Sequence, residues 1–313
     1  MKINDLKFDF LNWRFILSIV VSIVFSYYAF QEFQFSEIII VLRDIQYSYI
    51  LLAAILLILS VYLRALRWQF FFDEIKPTIY DLFGSQMIGY FGNNILPLRA
   101  GEFLKCIFLS NIYEVPKSII FGTVLLERFL DFMSILIIAL VSILFISMNF
   151  FDEFFKIYLI LIMFLLVIIF ISIYKINFKY DGQTRFLEII TNIIKGFKSL
   201  KITQFFLILI YTLLIWFIYI LVVYATQYSM SMNLTFSNVI IILIISSLAL
   251  SLPSAPANIG AFEYSVVYSM ELLGYHSNNI EFAIILHLAS FIPYTIVGGL
   301  FFIYYNYTHI DEK

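Results

Sequence analysis

Six uninterrupted apolar runs, each close to the length of a membrane-spanning helix, constrain this chain more than any other feature. An α-helix needs about 20 apolar residues to cross the hydrocarbon core of a bilayer. The six runs cover residues 15–31, 48–63, 119–148, 157–174, 203–226 and 284–306. Charged residues form only 13% of the chain, whereas soluble domains carry about 25%. We therefore expect an all-α polytopic membrane protein, which excludes cytosolic enzymes, nucleic-acid binders and secreted disulfide scaffolds.

Two further apolar regions, residues 82–112 and 238–273, are interrupted in the middle by proline. The first is broken at Pro97, and the second at Pro253 and Pro256. Each half has about 15 residues, which is short for a full crossing, and proline interrupts a regular helix. These regions predict two re-entrant helical hairpins with tips inside the membrane. The alternative is that each region is a pair of short spanning helices joined at the membrane surface.

The order of these elements repeats along the chain. Two spans, a broken hairpin and a third span fill residues 1–150, and the same order fills residues 151–313. Because each half contains three full crossings, the second half would be inverted relative to the first. We therefore predict one transmembrane domain, residues 1–313, with six spanning helices and two hairpins in an inverted repeat. This arrangement is typical of transporters that expose a central site to each side in turn.

Lysine and arginine predict the orientation, because cytoplasmic loops are enriched in both. With the N-terminus inside, the outer loops keep only Arg43 and Lys156, and the loops 226–237 and 274–283 contain neither residue type. The basic residues assigned to cytoplasmic segments are Lys2, Lys7, Arg14, Arg64, Arg67, Lys76, Lys117, Lys175, Lys179, Arg185, Lys195, Lys198 and Lys201. We expect an integral protein of the cytoplasmic membrane with both termini in the cytoplasm.

Charged residues beside the first break are candidates for a functional site, because an unpaired charge in hydrocarbon is costly. Arg99 and Glu102 follow Pro97 and are three residues apart, so they can meet on one helical face. Arg99 is either a phosphate ligand, for which its planar guanidinium is suited, or the structural partner of Glu102. Gly101 permits close packing of helices at the break.

The third span contains three ionisable residues within five positions. Glu127 and Asp131 share one helical face, and Arg128 lies three residues before Asp131. These residues lie either at the cytoplasmic interface or in the wall of a polar cavity that contacts the first hairpin.

The second hairpin carries one charged residue near its break, Glu263. Asn258 offers neutral hydrogen bonds, and Gly260 allows a close turn. Desolvation favours the protonated form of a carboxyl group. We therefore consider Glu263 either a contact for a cationic head group, or a site of proton coupling, or a residue that faces outer water.

Several catalytic signatures are absent from the sequence. It contains no phosphate-binding G-x-x-x-x-G-K-[ST] loop, no G-x-S-x-G elbow and no H-E-x-x-H motif. His276, His287 and His309 lack the spacing of metal ligands. We expect no catalytic residue, no metal or other cofactor, no ATPase activity and no nucleic-acid partner.

The two hairpins resemble the lysylphosphatidylglycerol synthase/flippase transmembrane-domain family. The resemblance rests on NNILPLRAGEF at 93–103, ERFLD at 127–131 and LPSAPANIGAFE at 252–263. It implies a protein that moves a phosphate-bearing lipid, aminoacylated or not, between leaflets. The residues predicted to bind the substrate are Arg99, Glu102, Glu127, Arg128, Asp131, Asn258 and Glu263. The residues predicted to shape the breaks are Pro97, Gly101, Pro253, Pro256 and Gly260.

The chain departs from the lysyl-transferring members, which carry a soluble aminoacyltransferase domain. Aminoacyl transfer is therefore not expected, and a separate lipid-modifying enzyme is a candidate partner; the lipid and the oligomeric state stay open. Two alternatives remain. One is a membrane-embedded transferase acting on a lipid or polyprenyl phosphate through Glu32, Glu37 or Asp44. The other is a secondary transporter of a small solute.

Overall fold

The structure is a computed structural model that describes residues 27, 42–72, 75–145, 153–175, 184–251 and 255–308. Within these ranges the secondary structure is helical and contains no strand. The α-helices are α1 (Tyr47–Gln69), α2 (Ile79–Ile95), α3 (Gly101–Tyr113), α4 (Lys117–Phe145), α5 (Glu153–Lys175), α6 (Arg185–Phe197), α7 (Phe205–Ser229), α8 (Phe236–Leu250), α9 (Ala261–Leu272) and α10 (Asn279–Thr308). The all-α fold predicted from the sequence is confirmed.

Among the described residues, four helical stretches are long and apolar enough to cross a membrane. They are Tyr47–Gln69, Ile157–Lys175, Ile202–Ser229 and Asn279–Tyr307. Each corresponds to a predicted span. The predicted span 119–148 corresponds to α4, which begins at Lys117 and carries Glu127, Arg128 and Asp131 in its first half. Apart from residue 27, the predicted span 15–31 lies outside the described residues, as do Glu32 and Glu37 of the transferase alternative.

Helix α1 is longer than the sequence predicted. The apolar run ends near residue 63, but the helix continues to Gln69 and includes Arg64 and Arg67. Both arginines are buried, with Arg67 fully inaccessible to solvent. The charge rule assigned them to a cytoplasmic segment; the structure places them on a helix, where their guanidinium groups have carboxylate partners inside the bundle.

The two largest clusters of buried apolar side chains each join several helices. In the larger cluster, α1 and α7 lie side by side, and Leu57 and Val222 pack with Phe282 of α10. In the second cluster, Trp68 of α1 packs with Leu109 of α3 near α2, α4 and α6. The second cluster lies beside the two arginines of α1, so it covers the polar interior with large apolar side chains.

Each broken region folds back on itself as a helical hairpin. Helices α2 and α3 pack together, and so do α8 and α9. They contain 17, 13, 15 and 12 residues. At a rise of 1.5 Å per residue, each is shorter than the hydrocarbon core of about 30 Å.

The two hairpins turn through the same backbone conformation, and their turns contact each other. In the 3-10 turn Pro97–Arg99, Leu98 and Arg99 have φ of 58° and 56°; in the turn Pro256–Asn258, Ala257 and Asn258 have φ of 57° and 60°. Left-handed backbone is strained for residues other than glycine. Pro256 is thus the counterpart of Pro97, whereas Pro253 lies outside the described residues.

A glycine follows each turn for a distinct physical reason. A Cβ atom on Gly101 would lie 1.9 Å from the carbonyl oxygen of Gly89, so only glycine lets α3 approach α2 this closely. Gly260 has φ of 84°, a conformation that glycine adopts without steric cost.

Candidate functional site

Helices α1, α2, α3 and α4 bring together buried and partly buried side chains, seven of them ionisable and one an amide, here called the charge cluster. Its members are Arg64, Arg67, Gln86, Glu102, Lys105, Glu127, Arg128 and Asp131. Helical spacing aligns them, because pairs three or four residues apart on α1, α3 and α4 share a face. The cluster therefore depends on the first hairpin packing against α1 and α4.

Glu127 is at the centre of the charge cluster and is inaccessible to solvent. Its carboxylate lies 3.0 Å from Lys105 Nζ, 3.1 Å from Arg64 Nη1 and 3.2 Å from Arg128 Nη2. Gln86 donates from Nε2 to both oxygens, at 3.1 and 3.2 Å. A buried carboxylate is tolerated when it is paired and hydrogen-bonded in this way.

Asp131 binds the two arginines of α1, one through each carboxylate oxygen. The distances are 2.7 Å to Arg64 Nη1 and 2.8 Å to Arg67 Nη2. Helix α7 supplies further partners, since Arg64 Nε donates to the hydroxyl of Tyr219 and Arg67 Nη1 donates to Thr212 Oγ1. The α1–α4 contact is thus fixed by charge-assisted hydrogen bonds, which are stronger than neutral ones.

The edge of the cluster nearest the first break is formed by Glu102 and Arg128. Glu102 Oε2 lies 3.0 Å from Lys105 Nζ, and Glu102 Oε1 lies 3.7 Å from Arg128 Nε. The Arg128 side chain is 29% exposed, whereas that of Glu127 is fully buried. Arg128 is therefore the most exposed member of the cluster.

Arg99 lies beside this edge, in the turn that precedes α3. Within the described ranges it has no salt bridge, and its buried Nε atom has no hydrogen-bond partner. The charges that act on it most strongly are those of Glu102 and Arg128. Glu102 pairs with Lys105 and Arg128 rather than with Arg99, so the structure contains no ion pair of the kind considered for Arg99 and Glu102.

The cluster carries more positive than negative groups. Four cations, Arg64, Arg67, Lys105 and Arg128, face three carboxylates, Glu102, Glu127 and Asp131. One positive charge is left without a balancing carboxylate, and Arg99 adds a second. A buried surplus of charge is costly unless an ion of opposite sign neutralises it. The arrangement can therefore bind an anion beside Arg128 and Arg99.

The second hairpin places Glu263 against a histidine. Glu263 Oε1 lies 2.5 Å from His287 Nδ1 on α10, and Glu263 Oε2 accepts a hydrogen bond of 2.7 Å from the backbone N–H of Gly260. The carboxylate thus caps the first turn of α9. Asn258 lies in the adjoining turn, which contacts the turn that holds Arg99.

The sequence identified part of this arrangement. Glu102, Glu127, Arg128 and Asp131 come together: Glu127 and Arg128 contact the first hairpin, whereas Asp131 binds the two arginines of α1. The residues that sequence reasoning missed are Arg64, Arg67, Gln86, Lys105 and His287. Two signals could have found most of them: Arg64 and Arg67 are three residues apart, as are Glu102 and Lys105, so each pair shares a helical face.

Comparison with known sequences defines the family. The sequence profile of the family described as lysylphosphatidylglycerol synthase TM region matches residues 15–298. The chain belongs to this family. The match spans both hairpins and the charge cluster, and it confirms the resemblance based on the three sequence motifs. With its long apolar helices, this membership makes the chain an integral membrane protein of a lipid-related family.

Two members from Methanocaldococcus jannaschii are similar to the chain. UPF0104 membrane protein MJ1078 is 28% identical over 223 residues, which cover 68% of this chain and 93% of that protein. UPF0104 membrane protein MJ1595 is 32% identical over 117 residues, which cover 36% of this chain and 35% of that protein. No solved structure matches the chain. These names describe a membrane location and no reaction.

Proposed function

We propose that this member of the lysylphosphatidylglycerol synthase transmembrane family is a flippase-like protein that moves a phosphate-bearing lipid between leaflets. The observation that carries the proposal is the positive surplus of the charge cluster, with Arg99 unpaired at its edge. A phosphate oxygen is a good acceptor for the planar fork of arginine. The phosphate would bind at Arg99 and Arg128, and the acyl chains would stay in the bilayer.

The cluster residues divide into two roles under this proposal. Arg99 and Arg128 contact the phosphate, while Glu102, Glu127 and Asp131 hold the surrounding cations in place. Arg64 and Arg67 of α1 and Lys105 of α3 add positive potential from the interior of the cluster. Because these groups are held by charge-assisted bonds before the substrate arrives, little reorganisation is needed on binding.

The second hairpin completes the site in the same proposal. Its turn contacts the first turn, so Asn258 and Glu263 would approach the other side of the head group. An aminoacylated head group carries an ammonium as well as a phosphate, and Glu263 is the acidic residue at this break. The phosphate contact would be the same for lipids with and without an aminoacyl group.

The short helices of the two hairpins support a pathway within the membrane. A re-entrant hairpin ends inside the bilayer, and irregular backbone at that depth is stable where it lines a polar cavity. In this proposal the two breaks are the tips of re-entrant hairpins in inverted halves, 1–150 and 151–313, and they form the midplane site. Both termini are cytoplasmic, and the membrane is the cytoplasmic one.

Transport by purified protein tests the proposal. Proteoliposomes would contain fluorescent phosphatidylglycerol, or a fluorescent glycolipid with the same acyl chains and no phosphate. A membrane-impermeant quencher then reports movement between leaflets. We expect movement of phosphatidylglycerol only, and we expect Arg99→Lys to slow it about tenfold or more, since a charged hydrogen bond contributes about 1.5–3 kcal/mol.

Arg185→Lys is the matched control, because Arg185 is exposed at the start of α6 and far in sequence from both breaks. It should move phosphatidylglycerol at the parental rate. Equal rates for Arg99→Lys and the parent would remove Arg99 from the site. A chemically altered lipid recovered from the vesicles would favour the transferase, and uptake of a small solute without lipid movement would favour the secondary transporter.

A further inference from the structure

Glu263 and His287 form a pair that belongs to neither the charge cluster nor the core packing. Their side chains are 6% and 12% exposed, and the atoms Oε1 and Nδ1 are 2.5 Å apart. The histidine ring lies against the rings of Phe262 and Phe291, with centroid distances of 4.9 and 6.2 Å. The pair is thus a short acid–base contact in an apolar setting.

The pair is isolated from other charges. Helix α8, which packs against α9, has no ionisable side chain. The other charged residues on α9, on α10, and on the helices and turn packed against them are Arg64, Arg67, Asp81, Arg99, Glu271 and Glu281. In the described part of the chain, none of these forms a salt bridge with Glu263 or His287.

Several of these six residues are already satisfied elsewhere. Arg64 and Arg67 bind Asp131, Asp81 accepts hydrogen bonds from Thr78 and Tyr113, and Glu271 is exposed. Tyr90 of α2 and Tyr294 of α10 stack on each other, with their ring centroids 4.4 Å apart. Arg99, on the turn that touches the turn before Gly260, forms no salt bridge among the described residues, and neither does Glu281, which is buried in the first turn of α10.

Two protonation states of the pair differ in net charge. With imidazolium and carboxylate, the pair is neutral. When one proton leaves the ring, the remaining Nδ1–H still donates to the carboxylate, but the pair carries one negative charge. Histidine exchanges a proton within the physiological pH range more readily than other side chains. One proton therefore decides whether this side of the two breaks repels an anion.

We propose that Glu263 and His287 form a proton-binding site. The pair binds one proton when an anionic head group binds at the adjoining breaks. This inference rests on the proposed function. The link runs through contacts already described: Glu263 caps Gly260, the turn Pro256–Asn258 precedes it, and that turn touches the turn of Arg99. By linkage, an anion bound at the breaks favours the neutral pair, and the proton in turn favours the anion.

Calorimetry on the full chain in nanodiscs tests this linkage with a defined probe. The probe is monomeric dihexanoyl phosphatidylglycerol, whose phosphodiester does not titrate near neutral pH. Titrations in two buffers of different ionisation enthalpy count the protons taken up. We expect uptake of up to one proton, and an affinity that falls by as much as about tenfold per pH unit between about pH 5 and pH 8.

His287→Gln keeps a polar side chain but cannot gain a proton, so its affinity for the probe should no longer vary with pH. His276→Gln, at an exposed histidine in the loop before α10, is the control and should keep the parental pH dependence. Unchanged pH dependence in His287→Gln would overturn the assignment. The parent protein alone also decides the matter if His287→Gln does not fold.

The two proposals fail in different ways. Binding of the probe by the parent without proton uptake overturns the proton site and leaves the lipid site standing. Absence of binding at every pH overturns the lipid site and the proton site with it. Uptake of a proton with binding, lost in His287→Gln and kept in His276→Gln, supports both.

Discussion

Lys105 of α3 and Glu127 of α4 form an ion pair of 3.0 Å in which the two side chains are only 2% and 0% exposed. Glu127 also accepts hydrogen bonds from Gln86 of α2 and binds Arg64 of α1. One carboxylate thus joins both helices of the first hairpin to the rest of the bundle. Loss of this group should affect the whole fold.

The first prediction compares the removal of opposite charges from the cluster. Glu127→Gln leaves four cations facing two carboxylates and should lower the free energy of unfolding by about 3–5 kcal/mol, as expected for a broken buried pair. Lys105→Met leaves three cations facing three carboxylates and should cost less. Thermal unfolding in detergent should rank the melting temperatures as parent, Lys105→Met, then Glu127→Gln.

Glu271→Gln is the control for this comparison, since Glu271 is exposed on α9 and should tolerate neutralisation within about 0.5 kcal/mol. If Glu127→Gln has the same melting temperature as the parent, the Glu127 carboxylate does not stabilise the packing of the first hairpin.

The sequence predicted the helical class and the hairpin breaks because long apolar runs and prolines act through local rules. Pro97 and Pro256 each begin a turn, as expected from the loss of the backbone donor. The correspondence between Pro97 and Pro256 was not visible, because it depends on left-handed φ values at the two residues after each proline.

Only part of the charge cluster could be predicted from the sequence, because its members come from distant parts of the chain. Glu127 and Asp131 stood out inside an apolar run, whereas Arg64 stood at the end of one and fitted the rule for cytoplasmic loops. Burial of Arg64 follows from its pairing with Asp131, 67 positions away. Likewise, His287 could not be recognised as a site residue from the sequence, because its partner Glu263 lies on another helix.

The second prediction concerns the close packing of α2 and α3. Gly101→Ala would place a Cβ atom 1.9 Å from the carbonyl oxygen of Gly89, so the hairpin must open. Overpacking of this kind typically costs about 1–3 kcal/mol, measured as a lower melting temperature. Gly299→Ala is the control. Its Cβ would lie 3.2 Å from the Phe91 ring, a side chain that can shift slightly, rather than against backbone, and alanine favours a helix. Equal losses for both variants would count against tight packing at Gly101.

The third prediction concerns the orientation in the membrane. Asn233 lies in the loop between α7 and α8, and Lys201 lies between α6 and α7. In a variant whose buried Cys106 is replaced by serine, Asn233→Cys should react with an impermeant thiol reagent added to intact cells. Lys201→Cys should react only after the membrane is opened. The reverse labelling would invert the proposed orientation.

The last prediction separates the roles of the two charged residues after the first break. Glu102→Gln removes a partner of both Lys105 and Arg128 and should lower the free energy of unfolding by about 1–3 kcal/mol. Arg99→Gln breaks no salt bridge, so its unfolding should stay within about 0.5 kcal/mol of the parent. In double-mutant cycles, Lys105→Met should recover more of the Glu102→Gln loss than Arg99→Gln does, with a coupling of about 0.5–3 kcal/mol. Chemical or thermal unfolding in one detergent gives all of these values. A larger coupling of Glu102 to Arg99 than to Lys105 would make Arg99 a structural partner and leave Arg128 as the one proposed ligand of the phosphate.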